Sequence, residues 1–233
     1  MSLLSPRQRL GAHTACLLVY GLLCASVLRA PATHASDPTG EVPLADVLEI
    51  VVLENKILAI DAHGGGQTHV ALEIGERVHW TGTQGRVGIV LTDRRLLAIG
   101  TGSAAWQVTR YRRNEEPPPE ALLGERVAVI ATSKRALGFD GGSGNLVERS
   151  LGPRETVWDE KAGANVAVIV TNRRALGLSP FAGGFFEAKL RLGEALQSLK
   201  VRANLATLTT SQRILIFRAP SGSWEERALD LQR

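Results

Sequence analysis

Cysteine is nearly absent: the 233 residues contain two, Cys16 and Cys24. Both lie in the apolar run 15–28, ACLLVYGLLCASVL. A chain trimmed of that run has no disulfide, no thiol nucleophile and no thiolate metal site. Aromatic residues make up only 5%. Neither sign of charge dominates, with 27 Lys and Arg against 23 Asp and Glu. The run 15–28 falls short of the roughly 20 residues that span a bilayer. The serines follow no G-x-S-x-G pattern, so an acyl-transfer nucleophile has no local support. What the sequence does have is 44% apolar residues, enough for a packed core.

The apolar run follows Arg7 and Arg9 and precedes Ala30, Ala32 and Ala35. A basic start, a short apolar stretch and a small-residue exit read as a secretory signal peptide over 1–35, and the mature chain as 36–233. With Arg7, Arg9 and Arg29 removed, the balance becomes 24 basic against 23 acidic residues. The basic character is therefore partly a leader effect and gives no support to nucleic-acid binding. Export to the periplasm or the medium is the expected localisation, with no stable membrane span after cleavage.

The mature chain repeats. GRVGIVLTDRRLLAIG, ERVAVIATSKRALGFD, ANVAVIVTNRRALGLS and ANLATLTTSQRILIFR share one frame, and VLEIVVLENKILAIDA is a degenerate first copy. Their anchors are Leu53, Thr92, Thr132, Thr171 and Thr210, spaced 39, 40, 39 and 39. A basic residue stands three after each anchor: Lys56, Arg95, Arg135, Arg174 and Arg213. An acid stands sixteen before it: Asp37, Glu76, Glu116, Glu155 and Glu194. The implied units are 37–75, 76–115, 116–154, 155–193 and 194–233.

Each unit reads as four short strands. The run before the anchor, as in VAVIV, is apolar at every position, as in a strand buried on both faces. A polar pair then suits a hairpin tip, and a second strand, a Gly-rich tip and a third strand follow. A fourth strand begins at the acid. Four strands in about 40 residues, five times over, predict an all-β five-bladed propeller. The third strand of the last unit ends near Arg233, so its fourth strand is expected to be missing. Segment 37–49 would then supply that strand and close the ring, removing exposed edges. An open β solenoid is the competing fold. In repeat count and strand pattern the chain resembles the five-bladed tachylectin-type lectin propellers. That resemblance implies a binding protein; no sugar-binding motif is carried over.

Two rims offer candidate sites. The basic and acidic columns fall on one rim, where they could capture an anion or simply pair with one another; the pairing reading is preferred. The opposite rim holds the Gly-rich tips and an aromatic column, Trp106, Phe185 and Trp224, with Leu146 and Gln67 in the other copies. Aromatics there could seat a partner protein or stack on sugar rings, or else pack between blades. His63 and His69 flank HGGGQTH, without a third ligand at metal-site spacing. Gly141–Gly144 joins two strands and opens no helix, unlike a phosphate loop. Pro117–Pro119 reads as a stiff link. No nucleophile, base and oxyanion donor assemble from these residues. The expectation is an exported, non-catalytic module without cofactor or metal, binding a protein partner as an envelope scaffold or, alternatively, glycans in lectin-like fashion.

Overall fold

The computed structural model describes residues 47–62 and 64–229, all within the compact unit Val42–Arg233. The described residues build five antiparallel meander sheets, packed face to face in chain order as the blades of a β-propeller. The first holds β1 (Leu48–Val52), β2 (Lys56–Asp61) and β3 (Gln67–Ala71). The second holds β4 (Val78–Gln84), β5 (Val87–Thr92), β6 (Arg95–Gly100) and β7 (Gln107–Arg110). The third holds β8 (Leu122–Leu123), β9 (Val127–Ala131), β10 (Arg135–Asp140) and β11 (Asn145–Ser150). The fourth holds β12 (Val157–Ala162), β13 (Ala167–Thr171), β14 (Arg174–Ser179) and β15 (Gly184–Lys189). The fifth holds β16 (Leu196–Val201), β17 (Leu205–Thr210), β18 (Arg213–Arg218) and β19 (Ser223–Ala228).

The strand that follows each acid pairs with the anchor strand after it, as β4 does with β5 and β16 with β17. The last sheet is therefore complete within its own unit, contrary to the expected missing fourth strand. The first sheet shows three described strands. The expected ring-closing segment lies outside the described residues as far as Asp46, and Leu48 and Glu49 belong to β1 itself.

Four apolar clusters fill the four junctions between consecutive sheets. Strands β5 and β13, in the middle of the stack, are buried at every position. Their unbroken VGIVLT and AVIVT runs are what a strand covered on both faces requires. Close approach is built in by glycine: a Cβ on Gly177 would sit 2.7 Å from the Phe217 ring of the next sheet. Each fully buried large side chain in these junctions contributes about 1.5–3 kcal/mol relative to exposure.

Candidate functional site

The basic column forms a repeated ion-pair network at one end of the sheets. Thr92 Oγ1 accepts from the backbone N–H groups of Arg94 and Arg95 at 3.1 and 2.9 Å, which tightens the hairpin tip. The same hydroxyl donates to Glu76 at 2.8 Å. Arg95 grips Glu76 through Nε and Nη2, both at 2.8 Å, and its Nη2 also reaches the Ala71 carbonyl of the preceding sheet at 2.7 Å. Arg135, Arg174 and Arg213 repeat the bridge, to the carbonyls of Arg110, Ser150 and Lys189 at 2.6, 2.7 and 2.6 Å. Each of these three also donates from Nη1 to an acid on the fourth strand of its own sheet: Glu148 on β11, Glu187 on β15 or Glu226 on β19. In the second sheet Val108 occupies that register opposite Leu97.

The acid facing Arg135 is Glu115, not Glu116. Glu115 is buried and accepts from Arg135 Nε at 2.9 Å, whereas Glu116 is exposed. The cause is a repeated turn. Residues 73–76, 112–115, 152–155 and 191–194 each close with the acid's N–H donating to the first carbonyl. The first residue's N–H donates back to the acid's carboxylate at 2.6–2.7 Å. The residue before the acid lies in the left-handed region: Gly75, Asn114, Arg154 and Gly193, with φ of 75°, 58°, 61° and 73°. Asn and Gly adopt that region readily, so the Asn114–Glu115 pair marks the acid, and the extra residue of the 40-residue unit falls after it. A frame counted back from the anchor misplaces it by one.

Burial would raise these carboxyls, but the arginine, the turn N–H and the threonine outweigh it. Glu76, Glu115 and Glu155 titrate below the usual range, and Glu194 is brought down to about 2. Lys56 is half-buried, and its expected partner Asp37 lies outside the described residues.

The aromatic column is not a rim platform. Trp106 and Phe185 are buried, in the clusters between the first and second and the third and fourth sheets. Trp224 lies 5.0 Å from the Phe217 ring and donates its indole N–H to the Phe186 carbonyl at 2.9 Å. The residues facing across each strand pair, such as Phe217 opposite Trp224, carry the column inward. Trp106 and Phe185 are core and Trp224 is half-buried against it, the packing between blades that stands as the alternative to binding. His69 is exposed on β3 and lines, with Trp106 and Val108, a groove of about 430 Å³. His63 lies outside the described residues. Among the described residues no group of three His, Cys, Asp or Glu is placed to hold a metal ion.

A different row is variable and exposed. The inner strands β4, β12 and β16 each carry a bulge at their second residue, where the register skips His79, Trp158 and Gln197. A bulge leaves one residue unpaired and re-aims its side chain. All three residues are exposed, Trp158 by 44%. In the third sheet the Pro117–Pro119 run replaces this part of the strand. Proline cannot donate to a ladder, and β8 shrinks to two residues. His79 Nε2 donates to the Pro118 carbonyl at 3.0 Å; Pro118 holds the same repeat position, spaced 39, 40 and 39 through His79, Pro118, Trp158 and Gln197, but is buried. The sequence held this row at the repeat period, but columns of similarity hide a column of difference.

Beside Trp158, Glu160 has a buried carboxylate oxygen with no hydrogen-bond partner. Burial pushes its carboxyl up to about 7, and Glu120 and Asp159 add to the shift by repulsion. This inner edge combines an exposed indole, an amide, an imidazole and clustered acids, groups that suit recognition of another surface.

No family profile and no curated protein matches the chain. Solved propellers resemble it at low identity. Prp20p of Saccharomyces cerevisiae, which binds Gsp1p and histones, is 10% identical over 73% of this chain and 56% of its own, at a TM-score of 0.36. The WD40 domain of Neurospora crassa Pan2 is 10% identical over 79% and 63%, at 0.31. PorZ, a bacterial surface component of the type-IX secretion system of Porphyromonas gingivalis, is 10% identical over 83% and 28%, at 0.38. The chain thus spans little more than half of Prp20p and about a quarter of PorZ.

Proposed function

We propose that the protein is an exported, non-catalytic interaction module that scaffolds a protein partner in the cell envelope. The partner docks on the inner edge of the blades. One observation carries this reading: a bulge repeated in the second, fourth and fifth sheets presents a different exposed side chain in each, His79, Trp158 and Gln197. Variable residues on a fixed scaffold are where recognition concentrates. The leader-like segment 1–35 is the ground for export, and the near-neutral balance of the remaining chain gives no support for nucleic acid.

A glycan reading keeps one supporting observation, the exposed Trp158 ring, which offers a stacking face. Its repeated form, with one aromatic site per blade, has less support, since Trp106 and Phe185 are buried and Trp224 is half-buried.

The test is a photo-crosslinking residue at position 158 in the full chain, expressed in cells, with position 145 on the outer strand β11 as the comparison. The expected result is a discrete crosslinked protein from position 158 and not from 145. Equal yields from both positions, or none from 158, would overturn the reading. A thermal shift with glycans that disappears in Trp158→Ala would favour the second reading instead.

A further inference from the structure

We propose that the end of the sheets carrying the ion-pair network is a docking face for an anionic bilayer surface. This proposal is independent of the inner-edge reading, because its residues lie on turns and hairpin tips rather than on the bulges. The acid turns join consecutive sheets at that end, and their second positions are Ile74, Arg113, Pro153 and Leu192. Ile74 and Leu192, in the turns entering the second and fifth sheets, are fully exposed. Between them in chain order stand the cations Arg113, Lys134, Arg154 and Arg173, on the turns and hairpin tips of the third and fourth sheets.

Two of these cations are anchored by backbone carbonyls rather than by carboxylates. Lys134 Nζ donates to the Arg113 carbonyl, and Arg173 Nη2 donates to the Pro153 carbonyl at 2.7 Å. Carbonyls fix the cationic heads in place without neutralising them. Of the exposed acids nearby, Glu148 is already paired with Arg112 and Arg135. Glu187 is paired with Arg174, and Glu116 in this stretch and Asp93 on the hairpin tip of the second sheet remain as exposed countercharges.

The aliphatic tips decide the occupant. A polyanion would use the cations and gain nothing from Ile74 and Leu192, and a protein would need apolar pockets matched to two tips carried by different sheets. A bilayer with anionic headgroups uses both, drawing the cations to its surface potential and taking the tips into the acyl boundary. The turns that hold the tips are fixed by the buried acids beneath them, so insertion needs no loop to be ordered. The attachment is peripheral; among the described residues no helix is long and apolar enough to cross a membrane.

The test is sedimentation of the full chain with vesicles of phosphatidylcholine alone and of phosphatidylcholine with 30% phosphatidylglycerol. A local readout is needed because the apolar run 15–28 could itself hold vesicles. It is an environment-sensitive dye on Leu192→Cys in a Cys16→Ser, Cys24→Ser background. The expected result is salt-sensitive binding to the anionic vesicles with a blue-shifted dye. Each of Arg113→Gln, Lys134→Gln, Arg154→Asn and Arg173→Gln should weaken binding by roughly fivefold. Ile74→Ser with Leu192→Ser should weaken it by at least about tenfold. These side chains lie at turn tips, Lys134 half-buried and the others exposed, and unchanged melting curves serve as the folding check. A dye that stays in water, equal binding to neutral vesicles, or binding indifferent to the tips or to the cations would overturn the proposal.

Discussion

The two ends of the molecule's chemistry treat a buried carboxylate in opposite ways. At the network end, Glu76, Glu115, Glu155 and Glu194 each have an arginine, a threonine and a turn N–H, and all titrate low. At the inner edge, Glu160 has one buried oxygen without a partner and two neighbouring acids, and it titrates near 7. The first arrangement recurs in four sheets, and the second occurs in one. The contrast teaches that repetition here marks what holds the blades together. Departure from repetition marks the place left available for another surface.

The contrast breaks most visibly if the network is cut. Arg135→Ala strands the buried Glu115 without its countercharge, which should cost about 3–5 kcal/mol. Urea denaturation should show that loss as a lower midpoint. Nearly as large is the difference between two tryptophans. Trp224→Ala removes a half-buried ring packed on Phe217 and hydrogen-bonded to the Phe186 carbonyl, and should cost about 3 kcal/mol. Trp158→Ala removes an exposed one and should stay within about 0.5 kcal/mol. Equal losses would erase the distinction between core aromatics and the exposed row.

The pH dependence sharpens the comparison, because the two classes of acid have opposite signs. Glu194 falls from 4.5 to about 2 on folding, so its contribution is present above pH 4.5 and is lost as the pH drops toward 2. Glu160 rises from 4.5 to about 7, so the folded state holds the extra proton. Its contribution is present below pH 4.5 and disappears as the pH rises through 7. Glu160→Gln should flatten that decline, which amounts to roughly 2 kcal/mol once solvent screening is allowed for. Melting between pH 4.5 and 8 measures it. The smallest effect belongs to Arg154, a non-glycine residue at φ 61°. Arg154→Gly should relieve that strain and stabilise by up to about 1 kcal/mol, net of glycine's greater chain entropy.

Much of the fold was legible because it repeats. The apolar runs ending at Thr92, Thr132 and Thr171 are buried strands, the run ending at Thr210 is a strand buried at alternate positions, and the polar pairs after them are hairpin tips. Strand membership was harder to read. The strand after each acid could belong to the sheet before it or the sheet after it, and periodicity does not choose between them. The aromatic column was visible, but its burial depends on the facing residues, Ile99, Leu178 and Phe217, and on the space left by glycines such as Gly177. The exposed row at His79, Trp158 and Gln197 was present at the repeat period, yet a bulge is a property of pairing and has no residue signature of its own. Glu115 could have been found from Asn114, whose left-handed preference marks the turn.

The most direct test of the account is a pair of adjacent substitutions, Glu115→Gln and Glu116→Gln, compared by urea denaturation at pH 7. The account predicts that Glu115→Gln costs about 2–4 kcal/mol, because Arg135 loses its buried countercharge, while Glu116→Gln changes stability by less than about 0.5 kcal/mol. Equal effects, or a larger loss at position 116, would contradict the claim that a buried, repeated ion-pair network locks successive blades together.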